Sequence, residues 1–128
     1  MTMDEQLFRW LDGFDLDEFL RHQVAGVFGG LPDHVRDDFF GDPGFALCDY
    51  EPRAGAIIVV PVAPPRRNAA GRSVVLKRTL CRRPVEFVRY VIAHELAHAH
   101  LRNGGRWPGD DPERAADALA AEWGYPRP

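Results

Sequence analysis

The stretch YVIAHELAHAHLRNGG, residues 90–105, sets three histidines and a glutamate among residues that otherwise suit a buried helix. Burying polar side chains is costly unless something binds them, so this run constrains the fold more than any other. It calls for a helix packed on a core along one side and facing a bound group on another. At about 100° per residue, His94 and His98 lie one turn apart on one face, and Glu95 is a single residue step round from His94. His100 points to the opposite flank. HELAH is therefore an H-E-x-x-H constellation, in which two neutral imidazoles grip one zinc ion and the glutamate activates water.

The flanking residues argue against a coincidental pair of histidines. Pro84 suits a first helical position and Glu86 a first turn. Val85, Val88, Val91 and Ile92 supply an apolar stripe, and Asn103-Gly104-Gly105 is a stop signal. The expected helix spans 84–103.

Two histidines need a third protein ligand. A histidine at 104 and a glycine at 101 would mark a metzincin, but those positions hold Gly104 and Leu101, and no histidine follows His100. The downstream candidates are carboxylates: Asp110, Asp111, Glu113, Asp117 and Glu122. Asp111 as N-cap, Pro112 as first residue and Gly124 as stop define an alanine-rich helix over 112–123. Glu113 and Asp117, four apart, share one of its faces. Glu113 is then a candidate zinc ligand, and Asp117 a candidate acceptor for the distal N–H of His94, a support that fixes the ring tautomer.

Upstream, Gln6 to Leu11 reads as a short helix ending near Gly13, and Asp15 as the cap of a second that ends at Gly29-Gly30. Pro32 begins a third, through Phe39-Phe40. From there the periodicity changes. Phe45–Tyr50, Gly55–Val62 and Arg72–Arg78 are short β-branched or aromatic runs, separated by Glu51-Pro52-Arg53 and by the proline-rich stretch from Pro64. Three strands with antiparallel pairing are expected, with 64–71 as a loop. The class is α+β: a helical segment over 1–43, a sheet over 44–80, then the two motif helices, in a single domain over 1–128.

The 128 residues suffice for a core without staples, and the 45% apolar content is ordinary. No run approaches the roughly 20 apolar residues of a membrane span. The acidic, amphipathic MTMDEQLFRWLDGF has no secretory pattern. Cys48 and Cys81 lack C-x-x-C spacing and read as reduced thiols, which together imply the cytoplasm. Residues 1–50 carry eleven acidic side chains against three arginines, and residues 51–128 carry thirteen basic against eight acidic, giving −8 against +5. The acidic half is thus either core or a lid across the basic half. The acidic balance and the lack of a reading helix argue against a nucleic-acid partner.

HELAH followed by E-R-A-A-D-A-L-A-A-E-W-G-Y-P resembles the gluzincin zinc metallopeptidases, most closely the ImmA/IrrE-type proteins and the single-domain minigluzincins. Their E-x-x-A-[ND]-x-[FL]-A pattern and following proline fall on Glu113, Ala116, Asp117, Leu119, Ala120 and Pro126. The likeness covers about residues 72 to 126. It implies a zincin-like fold, with an active-site helix beside a small twisted sheet of about three strands. It also implies Zn²⁺ on His94, His98 and Glu113, with Glu95 as general base and a peptide or protein substrate. Tyr125, His100 and Arg106 are candidate donors to the oxyanion. Ser73, the chain's lone serine, has no nucleophile motif around it. The residues leave three functions open: a narrow-specificity peptidase, a small-amide hydrolase, and a zinc-holding regulatory or interaction protein with a covered cleft. Oligomeric state is not encoded in any motif here.

Overall fold

The computed structural model describes residues 2–51, 72–102 and 111–128. Three helices come first: α1 (Met3–Leu11), α2 (Glu18–Gly29) and α3 (Asp33–Phe40). Thr2 caps α1 by accepting from the Glu5 amide at 3.1 Å, and Leu7 and Leu11, one turn apart, face the core. The cap of α2 is Asp17, not the expected Asp15: its carboxylate accepts from the amides of Phe19 at 2.9 Å and Leu20 at 3.3 Å. The shift has a tertiary cause. The Asp17 amide donates to the carboxylate of Asp49, and the Asp49 amide donates to the Asp15 carbonyl at 3.3 Å, so this segment is drawn alongside a strand. Pro32 caps α3, which turns Val35 and Phe39 inward.

The acidic half of the chain is core. Leu20, Val24, Val27 and Phe28 of α2 are fully buried. The Trp10 ring meets Phe14, Phe28, Phe40 and Phe45 at centroid distances of 4.9–5.7 Å. A helix that buries one apolar stripe keeps its charges outside, which is how −8 and a dense aromatic cluster coexist in one segment. The lid alternative does not describe these helices.

Strands β1 (Phe45–Tyr50) and β2 (Arg72–Lys77) pair in parallel, with Phe45 opposite Arg72 and Tyr50 opposite Lys77. This overturns the antiparallel expectation. Short strand patterns carry no direction, and a parallel pair needs only a connection of a dozen or more residues, which residues 51–71 provide in length. The expected middle strand over 55–62 and the loop over 64–71 lie outside the described residues. Between β2 on one side and a bridge to Asp15 on the other, β1 is buried over most of its length. A 3₁₀ turn (Arg78–Arg82) follows β2, and Arg78 donates to the buried Asp49 at 3.0 Å.

Helix α4 (Val85–Leu101) packs against α2, α3, α5 and β2, and so runs through the middle of the molecule. Pro84 sits just before it as the N-cap. The helix ends where Arg102 adopts a left-handed backbone, φ 59°. The expected stop at 103–105 lies outside the described residues. Helix α5 (Pro112–Glu122) starts from an Asp111 cap, with the carboxylate accepting from the Arg114 amide at 3.1 Å. It is closed by Gly124 at φ +102°, a conformation that glycine adopts without penalty. The architecture is thus α+β, with five helices and a two-stranded parallel sheet among the described residues. No described helix is long and apolar enough to cross a membrane. Cys48 and Cys81 are unpaired, the first buried and the second exposed.

Candidate metal centre

Helical spacing on α4 brings His94 and His98 side by side, with ring centroids 4.6 Å apart and their Nε2 atoms at 3.1 Å. Both residues are buried, at 8% and 7% exposure, in the most enclosed part of the helix. The Asp111 cap and Pro112 place Glu113 in the first turn of α5, where free N–H groups and the helix dipole favour an ionised carboxylate. Since α5 packs chiefly on α4, Glu113 reaches both rings: Oε2 is 2.7 Å from His94 Nε2 and Oε1 is 3.1 Å from His98 Nε2. The ligand atoms of these three residues lie within 4.8 Å of one another, as in a metal-binding group.

The chemistry of this donor set fits a cation. His94 Nδ1 is 2.6 Å from Asp117 Oδ1. An ionised carboxylate only accepts, so Nδ1 donates to Asp117 and Nε2 is the nitrogen that faces Glu113. At 2.7 Å, Nε2 and the Glu113 carboxylate have either a proton or a metal ion between them. His98 Nε2 faces the same point, so the three side chains together could hold a metal ion. Donors on a tetrahedral zinc stand about 3.3 Å apart, within a few tenths of an ångström of two of the separations seen here.

Charge is arranged consistently around the cluster. Burial works to raise the Glu113 carboxyl, but its bonds with His94 and His98 prevail and hold it below the ordinary range. Burial also works to raise Asp117, and bonds from Tyr90, Arg127 and His94 outweigh it. Glu95 is different. Half-buried, it is pushed above the ordinary range by desolvation, while the opposing charges of His94 and His98 are partly countered by Glu113. It is thus a carboxylate beside the cluster but outside the group of three ligand atoms.

Of the sequence candidates, His94, His98, Glu113 and Asp117 come together, with Glu95 beside them. His100 does not join them. Its Nδ1 is 2.7 Å from Asp38 Oδ2 on α3, with Phe39 and Trp123 beside the ring. Tyr125 packs beside Gly30, where an added methyl group would lie 3.2 Å from its hydroxyl. His100 is thus engaged with α3 and Tyr125 lies beside Gly30, while Arg106 lies outside the described residues. The sequence reading missed Tyr90 and Arg127, both of which bind Asp117. Tyr90 carried a signal, because it stands one helical turn before His94. Arg127 carried none.

No protein-family model, curated protein or solved structure matches the chain.

Proposed function

We propose that the chain is a zinc-dependent hydrolase of gluzincin type and zincin-like fold, cleaving an amide bond in a peptide or protein. The observation that carries this reading is the convergence of His94, His98 and Glu113 on one point, with Glu95 on the same helix as the two histidines. His94, His98 and Glu113 would hold a zinc ion, which would supply Lewis acidity toward an amide carbonyl and lower the pKa of water toward about 7. Glu95 takes the proton from the attacking water and hands it to the leaving amine nitrogen. Asp117 keeps His94 in the tautomer that offers Nε2. Glu113, with its side chain 62% exposed, leaves the centre open to solvent on that side, and substrate would enter there. Unpaired Cys48 and Cys81 fit a reducing compartment such as the cytoplasm.

The retained Glu95 favours catalysis over a purely structural ion, which has no use for a base. The test is a peptide library incubated with zinc-loaded wild type and with Glu95→Gln. Glutamine keeps the shape but accepts no proton, so turnover should fall about 10²–10⁴-fold while zinc content stays the same. Equal turnover by the two proteins would remove Glu95 from the mechanism.

A further inference from the structure

Asp117 is held from three directions. Its Oδ1 accepts from the Tyr90 hydroxyl at 2.5 Å and faces His94 Nδ1 at 2.6 Å. Its Oδ2 accepts from Arg127 Nη2 at 2.7 Å and Nε at 3.2 Å. A carboxylate has about four lone-pair sites, and these four donors fill them. We propose that Tyr90 and Arg127 are positioning residues for the metal centre: acting through Asp117, they fix the His94 ring and set how closely Glu113 approaches it. The inference rests on the metal-centre reading above.

The geometry supplies two routes for the effect. Tyr90 and His94 stand one turn apart on α4, ring centroids 5.8 Å apart, and reach the same oxygen. With Tyr90 bound, Asp117 cannot turn about its side-chain bonds without breaking a hydrogen bond made by a buried hydroxyl; Tyr90 is 7% exposed. The second route runs along α5. Asp117 and Glu113 lie one turn apart, so tying Asp117 to α4 also fixes the height at which Glu113 meets His94 and His98. Arg127 closes the arrangement from outside, its guanidinium carbon 5.6 Å from the centre of the Tyr90 ring. Ligands already held in place lose less freedom when the ion binds.

The test is zinc affinity measured against a competing chelator. The proteins are wild type, Tyr90→Phe, Arg127→Gln, Arg127→Lys, Asp117→Asn and the double variant Tyr90→Phe/Asp117→Asn. Tyr90→Phe keeps the ring and should weaken zinc about 10-fold, the lower end of the range for partners of metal ligands. Arg127→Gln should weaken it less, and Arg127→Lys should recover part of that loss. In the Asp117→Asn background, Tyr90→Phe should cost nothing further, because residues that act through one another are not additive. The same loss in both backgrounds would overturn the proposal, since Tyr90 would then act by packing alone. So would wild-type affinity in Tyr90→Phe. If circular dichroism shows Tyr90→Phe misfolded, the exposed Arg127 decides: loss with rescue by lysine supports the proposal, and no loss overturns it. A wild-type chain that binds no zinc overturns the centre itself along with its tether.

Discussion

Arg72, at the head of β2, donates from Nη1 to the main-chain carbonyl of Ala99 at 3.1 Å, the residue directly after His98. The same guanidinium holds Asp38 at 2.7 Å and Asp42 at 2.8 Å, so a buried cation ties α3 and the sheet to the helix that carries both histidines. Breaking a buried ion pair by removing one partner costs about 3–5 kcal/mol. Arg72→Ala should therefore be among the most destabilising single substitutions, read as a lowered urea midpoint. A loss below about 1 kcal/mol would show that water replaces the guanidinium at little cost.

The same network makes a statement about pH. Burial works to raise Asp38, but hydrogen bonds from Arg72 and His100 outweigh it and hold the carboxyl below its usual 3.8. A depressed folded-state value means that the folded chain binds fewer protons than the unfolded one across that window. Asp38 thus contributes stability above the unfolded value and loses it as pH falls through the folded one. Asp38→Asn should flatten part of the acid limb of a stability–pH curve below about pH 5, while Glu113 and Asp117, depressed for similar reasons, keep the remainder. An unchanged acid limb would remove Asp38 from the account.

Zinc should stabilise the native chain by linkage. At a free concentration a thousandfold above the dissociation constant the gain is about 4 kcal/mol, on the order of 15 °C in Tm for a chain of this size. A strong chelator should lower Tm of wild type by that order and leave His98→Ala, which lacks one of the two imidazoles, almost unmoved. Equal shifts in the two proteins would mean that the histidines do not hold the ion.

The order of zinc affinities among variants separates Glu113 from His100. Glu113→Ala should weaken binding most, Asp117→Ala by about 10–100-fold, and His100→Ala hardly at all, because that ring is committed to Asp38. His100→Ala should show its effect in thermal stability instead. Zinc titrations placing His100→Ala below Glu113→Ala would reverse the assignment.

Phe28 tests the aromatic cluster. It is 0% exposed and touches Trp10, Phe39 and Phe40 with centroids at 5.1–5.8 Å. Phe28→Ala should cost about 3–5 kcal/mol, a large share of the roughly 5–15 kcal/mol of a typical domain. Denaturant melts should show it, and a removal of residues 1–40 should yield no folded remainder.

The helices could be read in advance because their signals are local. Pro32, Pro84 and Asp111 with Pro112 stand within a residue of the observed boundaries and Gly124 within two, and the two motifs each occupy little more than a single turn of helix. What escaped depends on residues far apart in the chain. Asp17 displaced Asp15 as a cap because Asp49, thirty-two positions on, takes its amide. The direction of β2 follows from where the chain crosses over, which six strand residues cannot encode. Arg72 looked like one more member of a basic run until the structure set it between two aspartates of the acidic half.

Both ring nitrogens of His94 are spent on α5, Nδ1 on Asp117 and Nε2 on Glu113. That helix has little else among the described residues to hold it except α4. On the proposed zinc reading, binding of the ion and docking of α5 would be coupled, and local opening of α5 would compete with the ion. Its amide protons should exchange with solvent faster than those of α4 when zinc is scarce, and slow as zinc is supplied. The last helix would act as an indicator of metal supply, and a protease that samples opened segments would clear the unloaded chain first.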